Sequence, residues 1–230
     1  MNTTTTHLLL EGVVGSTAYG LSTPTSDLDY AGVYVEPTAN LLGLHPPDRQ
    51  RSTRTGRDGA DATYHELGKA MGLILACNPS AMEVLWLEEY LCLTDFGAEL
   101  VALREHFLSA SRVRKAFYGY ATAQVVRLAR HPRTGDPRRA KHARHTMRLL
   151  WQGHQLYTTG VLPVRVTDPD AYFAFGEQVM ADPDAVVAQE LLAQCESRFD
   201  DSATVLPAAP NEAPLEDFLQ RVRRAHLTAP

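Results

Sequence analysis

The stretch GSTAYGLSTPTSDLDYAGVYVEP, from Gly15 to Pro37, decides the fold. It opens on Gly15-Ser16, and Asp27-Leu28-Asp29 follows just ahead of the apolar run Ala31 to Val35. Two carboxylates one residue apart at the head of such a run read as strand residues whose side chains leave the same face. Paired acids in that arrangement suit shared divalent cations. Upstream, the Gly-Ser turn can bring backbone N–H groups and a hydroxyl up to a phosphate, because glycine permits close approach and positive φ. A phosphate cradle beside paired acids implies nucleotide chemistry.

The flanks of this stretch read as mixed structure. His7 to Val14 is apolar with β-branched residues, a strand that delivers Gly15-Ser16 at its end. Ser22 to Ser26 is a loop around Pro24, and Pro37 stops the strand that carries the acids. Leu44 to Gly59 holds four arginines and two glycines among polar residues, a loop-like segment and a candidate lid for a nucleotide site. Asp61 to His65 is extended in character. From Glu66, the positions Leu67, Ala70, Met71, Ile74 and Leu75 mark an amphipathic helix that Asn78-Pro79 ends. Ser80 to Glu83 fits the S-x-x-E capping box, so a second helix is expected from there to about Tyr90.

Helices take over beyond Thr94. Asp95 is expected to cap a helix through Leu108, and Ser111 another to about Arg130. After the break His131 to Pro137 comes a helix from about Arg138 to Thr159, closed by Gly160. Its apolar stripe is Ala140, Ala143, Met147, Leu150, His154 and Tyr157; the neighbouring stripe carries Arg138, Lys141, His145, Arg148 and Gln152. A short strand is expected at Leu162 to Val166, with further helices from Asp182 to about Phe199 and from Pro214 to about Leu227. This divides the chain into a mixed region, 1–108, and a mainly helical region, 109–230, expected to pack on the active site.

With 230 residues, 44% of them hydrophobic and 21% charged, the chain can bury a sizeable core. No uninterrupted apolar stretch reaches the length of a membrane span and the first residues lack a basic leader, so a cytoplasmic protein with no membrane partner is expected. The scattered Cys77, Cys92 and Cys195 read as reduced thiols. The net charge of −5 is unevenly spread: eleven of the 22 Lys/Arg lie between Arg112 and Arg148 with one acid, Asp136. Such a segment attracts phosphate, either of a nucleotide or of a nucleic acid backbone.

Gly15-Ser16, Asp27-x-Asp29 and a third acid on a later extended segment resemble the DNA polymerase beta-like nucleotidyltransferase superfamily. The run from Gly15 to Asp29, the Glu66-Leu67-x-Lys69 helix ending in Asn78-Pro79, and Lys141-His142-x-x-His145-x-x-Arg148 are similar to its RNA repair-associated, RlaP-type branch. The resemblance implies an α+β nucleotidyltransferase fold, a small mixed sheet with flanking helices followed by a helical C-terminal region. It implies NMP transfer from an NTP to an acceptor hydroxyl, with pyrophosphate released and Mg²⁺ or Mn²⁺ as cofactor. Asp27, Asp29 and Asp61 would then be catalytic and metal-binding, with Glu66 the alternative third acid. Gly15, Ser16, Tyr19, Lys69, Lys141, His145 and Arg148 would contact the nucleotide. One departure is Gly68, where relatives usually carry a basic residue. RNA is the expected acceptor; a protein, a small molecule, or a non-catalytic nucleotide-binding regulatory module remain open alternatives, as does the oligomeric state.

Overall fold

A computed structural model describes residues 7–47, 52–54, 61–130 and 135–227. The chain falls into two compact units, the first formed by 1–108 together with 210–230 and the second by 109–209. Residues 210–230, assigned by sequence to the helical region, thus lie in the first unit.

In chain order the first unit comprises β1 (His7–Val14), α1 (Gly15–Tyr19), β2 (Asp29–Val35), α2 (Thr38–Leu41), β3 (Ser52–Arg54), β4 (Asp61–Glu66), α3 (Leu67–Leu75), α4 (Pro79–Met82), β5 (Cys92–Leu93) and α5 (Asp95–Ala102). The second comprises α6 (Ala110–Arg130), α7 (Pro137–Thr159), α8 (Pro169–Ala181) and α9 (Val186–Asp201), after which α10 (Glu212–Ala225) returns to the first. The five strands form one mixed sheet in the order β3-β4-β2-β1-β5. β2 lies parallel to β4, and the other pairs are antiparallel. Gly32 to Val35 are all buried in this central strand, the pattern of a strand covered on both faces.

The helix after β4 forms as expected, with Leu67, Ala70, Met71 and Ile74 buried and Glu66 as N-cap, its carboxylate accepting from the Gly68 amide at 2.8 Å. Beyond it three expectations change. Asn78, and not Ser80, caps α4: its side chain accepts from the Ser80 and Ala81 amides, with Pro79 pre-set at the first helical position. That helix lasts four residues before a 3₁₀ turn at Glu83–Leu85, so no helix runs to Tyr90. α5 is capped by Thr94, whose hydroxyl accepts from the Gly97 amide, and ends at Ala102 with a 3₁₀ turn at Arg104–Phe107.

In the second unit α7 packs on α6, α8 and α9 around Val125, Leu128, Ala143, Phe175, Val179 and Ala188. It starts at Pro137, capped by Asp136, and closes on Gly160 in the left-handed conformation. Residues 131–134 of the expected break lie outside the described residues. Leu162 to Val166 form no strand, and the Pro163 and Val164 carbonyls accept from the Gln152 side chain. α8 was missed, although Asp168-Pro169 opens it with the same Asp-Pro start signal read at Asp182. The three cysteines are free thiols.

Candidate active site

The strand register brings the ends of β1, β2 and β4 into one row, in which Val14 pairs with Asp29 and Asp29 with Asp61. The Gly15-Ser16 turn that follows Val14 is therefore set against Asp29. Gly15 has φ +69°, and a Cβ there would stand 2.9 Å from Asp29 Cγ, so only glycine fits both the conformation and the neighbour. Three separate segments thus converge on one corner of the sheet.

Below this corner lies a cavity of about 200 Å³, lined by Asp29 and Asp61 at the strand ends, Thr63 and His65 further along β4, and Ser80 and Glu83 opposite. Asp61, Thr63 and His65 alternate along one strand and so share a face. This period was readable in D-A-T-Y-H, yet Thr63 and His65 were not singled out. Burial, and secondarily the charge of Lys69, hold the His65 imidazole below its usual pKa.

Asp27 departs from expectation. The strand starts at Asp29, so Asp27 sits two residues outside it, exposed and absent from the cavity lining. The shared-face argument, which needs both acids on one regular strand, does not apply to it. Among the described residues, no three His, Cys, Asp or Glu side chains are grouped to hold a metal ion. The donor set at the row nonetheless fits Mg²⁺ or Mn²⁺: two hard carboxylates on neighbouring strands, the number with which magnesium is commonly held beside substrate phosphates and water. Asp29 and Asp61 would hold it.

Glu66 lies one strand position out of phase with Asp61 and is committed elsewhere. Besides capping α3, it takes a forked pair of bonds from Arg223 of α10, at 2.5 and 2.9 Å. Arg223 comes to rest 3.0 Å from where a Gly68 Cβ would be, which accounts for a residue without a side chain at that point. On the reverse side of the sheet, Gly32 leaves room for the Tyr64 ring, 2.8 Å from its missing Cβ, and the Tyr64 hydroxyl donates to buried Glu11 across β2. Tyr19, expected to contact the nucleotide, donates its hydroxyl to Glu83 at 2.7 Å. Of the candidate lid, 48–51 and 55–60 lie outside the described residues, while Ser52–Arg54 form β3.

The cationic stripe belongs to the second unit, and its members differ. Lys141 is exposed, but Arg148 is 2% exposed and belongs to the interior. Arg148 donates to the Gln152 carboxamide oxygen and, at 3.0 Å, to His145 Nδ1. Since a guanidinium only donates, His145 accepts at Nδ1 and carries its proton on Nε2. Burial, with Arg148 next in weight, pushes the His145 pKa down to about 3, so it is neutral at pH 7 rather than cationic. The exposed cations of the stripe read from the sequence are therefore reduced to Arg138 and Lys141, because α7 buries more than one stripe once α6, α8 and α9 surround it.

Among the described residues, no helix is long and apolar enough to cross a membrane. Six chains of known structure match this one. One is a nucleotidyltransferase-like protein from Exiguobacterium sibiricum 255-15, with 12% identity, a TM-score of 0.34, and coverage of 96% of this chain and 74% of that one. No curated protein sequence matches. The RlaP family, described as the RNA repair pathway DNA polymerase beta family, matches residues 1–196. With that match spanning both the Gly15 to Asp61 corner and most of the helical unit, the chain belongs to the RlaP family of polymerase beta-like nucleotidyltransferases.

Proposed function

We propose that the protein transfers an NMP unit from an NTP to an acceptor hydroxyl, on RNA, with release of pyrophosphate. One row of the sheet carries this reading: the Gly15-Ser16 turn, Asp29 and Asp61 stand side by side although they come from three separate segments. In the reaction the acceptor oxygen bonds to the α-phosphorus as the bridge from the α- to the β-phosphate breaks and pyrophosphate departs. The Gly15-Ser16 backbone N–H groups and the Ser16 hydroxyl hold the triphosphate. Asp61, the exposed acid of the row, takes the acceptor proton, and Asp29 would hold, with Asp61, the divalent cation that neutralises the phosphate charge. A bound Mg²⁺ or Mn²⁺ supplies Lewis-acid stabilisation of the phosphate charge. Lys69, whose charge is felt at His65, adds positive charge.

RNA as the acceptor rests on the family and on the basic character of 112–148, where Arg127, Arg130 and Lys141 are exposed and suited to a phosphate backbone. The test is incubation of the protein with each α-labelled NTP and Mg²⁺ or Mn²⁺ in the presence of RNA, protein and small-molecule pools, with D29N as control. Label entering RNA, and lost with D29N, is the expected result. Label in another pool replaces the acceptor. NTP binding without any transfer would favour a regulatory nucleotide-binding module instead.

A further inference from the structure

Glu83 was read from the sequence as a capping residue, and the structure gives it different work. Its amide end of the chain follows a helix capped by Asn78, and its carboxylate, on a residue only 5% exposed, lines the cavity that contains Asp29 and Asp61. Burying a carboxylate carries a desolvation cost that well-placed hydrogen bonds must offset. One of those bonds comes from the Tyr19 hydroxyl, 64 residues away in sequence.

Tyr19 is the last residue of α1, whose first two residues are Gly15 and Ser16. This helix is five residues long, has no side-chain cap at its start and has no fully buried residue. Its attachments include the end of β1, the left-handed turn at Gly20 with the Leu21 amide bonded to the Ser16 carbonyl, and the Tyr19 bond to Glu83. The last ties α1 to Glu83, a residue that lines the cavity containing Asp29 and Asp61. A hydrogen bond to a carboxylate is stronger than one between neutral groups, which suits it to that role.

We propose that Glu83 is a positioning residue which, through Tyr19, holds the Gly15-Ser16 turn in its triphosphate-binding geometry; the inference rests on the nucleotidyltransferase reading of that turn. Donors fixed before the ligand arrives do not have to be ordered on binding, so releasing α1 lowers affinity for the triphosphate. The loss concerns the β- and γ-phosphates that the turn holds, leaving the nucleoside monophosphate portion unaffected.

The experiment measures binding of a fluorescent NTP to the full chain, with the corresponding NMP as competitor, for wild type, Y19F, E83Q, E83L and the double variant Y19F/E83L, each checked by its thermal unfolding midpoint. Y19F removes only the hydroxyl and is expected to weaken NTP binding roughly tenfold, the scale of one charge-assisted hydrogen bond, while NMP binding changes less than about twofold. E83Q keeps an acceptor for Tyr19 and should retain most of the affinity, and adding E83L to Y19F should cost little more than either alone, because both remove one link. NTP affinity within twofold of wild type in folded Y19F overturns the proposal, as does an equal loss for NTP and NMP, which marks a merely structural role. Wild type that binds no NTP removes the nucleotidyltransferase reading itself, and this inference with it.

Discussion

Gly15 and Asp29 occupy space that a single methyl group on Gly15 would make incompatible: the missing Cβ would overlap the Asp29 carboxylate and lie 2.9 Å from its Cγ. With φ at +69° the residue is also in the left-handed region. G15A is therefore expected to lose about 1–3 kcal/mol of stability through backbone strain. Asp29 must also move, and misplacement of a reacting group by about 1 Å costs on the order of 100-fold in rate. Unfolding and NMP-transfer assays on one preparation check both, and a G15A protein with wild-type transfer would remove Gly15 from the site.

Glu66 and Asp61 are close in sequence but divide the work between structure and chemistry. The Glu66 carboxylate holds the Gly68 amide and both terminal nitrogens of Arg223, with side-chain exposures of only 13% for Glu66 and 18% for Arg223. E66Q and R223M are each expected to lose about 1.5–3 kcal/mol, the range for hydrogen bonds to charged groups, and to be non-additive when combined. Activity per folded molecule is retained in both. D61N should behave in the opposite way, with normal stability and no transfer. Denaturation curves and initial rates on the same variants separate the two behaviours, and if E66Q abolishes transfer without destabilising, Glu66 is the third acid.

The site was legible in the sequence wherever it depends on one segment. Gly15-Ser16 at the end of β1, Asp29 at the head of β2 and Asp61 at the head of β4 all follow from local pattern, and register then brings them together. Asp27 lies off the strand because β2 begins two residues later than expected, a boundary that periodicity locates poorly. Asn78 outcompeted Ser80 as a cap because the following proline fixes the helix start, a cue that was used only as a stop signal. Tyr19, Glu83 and Arg223 act through partners 64 or 157 residues away, and no local pattern carries that information. The same holds for Arg148: its place on the cationic stripe suggested a phosphate contact, whereas its burial depends on His145, Gln152 and three neighbouring helices.

Gly72 provides a contrast to Gly15. It lies inside α3, is exposed, and a Cβ there meets nothing within 4 Å. G72A should stabilise the protein by about 0.5–1 kcal/mol by restricting the unfolded chain and favouring helix, with transfer activity unchanged. A fall in the unfolding midpoint would mean that the groove beside α3, lined by Gly72 and Leu219, needs the space that glycine leaves.

His145 should make the second unit sensitive to acid. Its pKa is about 3 in the folded protein, lowered by burial and then by Arg148, His142, Lys141 and Arg127, against a reference value of 6.5. Between these values the unfolded chain binds the proton and the folded one does not, so stability rises with pH. The contribution is fully present above about pH 6.5 and drains away as pH falls toward 3, at up to about 1.4 kcal/mol per pH unit. His142 and His154 are depressed as well and act with the same sign. H145Q keeps an acceptor for Arg148 but cannot titrate. Urea denaturation at pH 5 and pH 7 should give a smaller difference between the two conditions for H145Q than for wild type, with the variants most alike in slope above pH 7. An unchanged difference would mean that His145 is protonated in the folded state, and the Arg148 guanidinium could then no longer donate to its Nδ1.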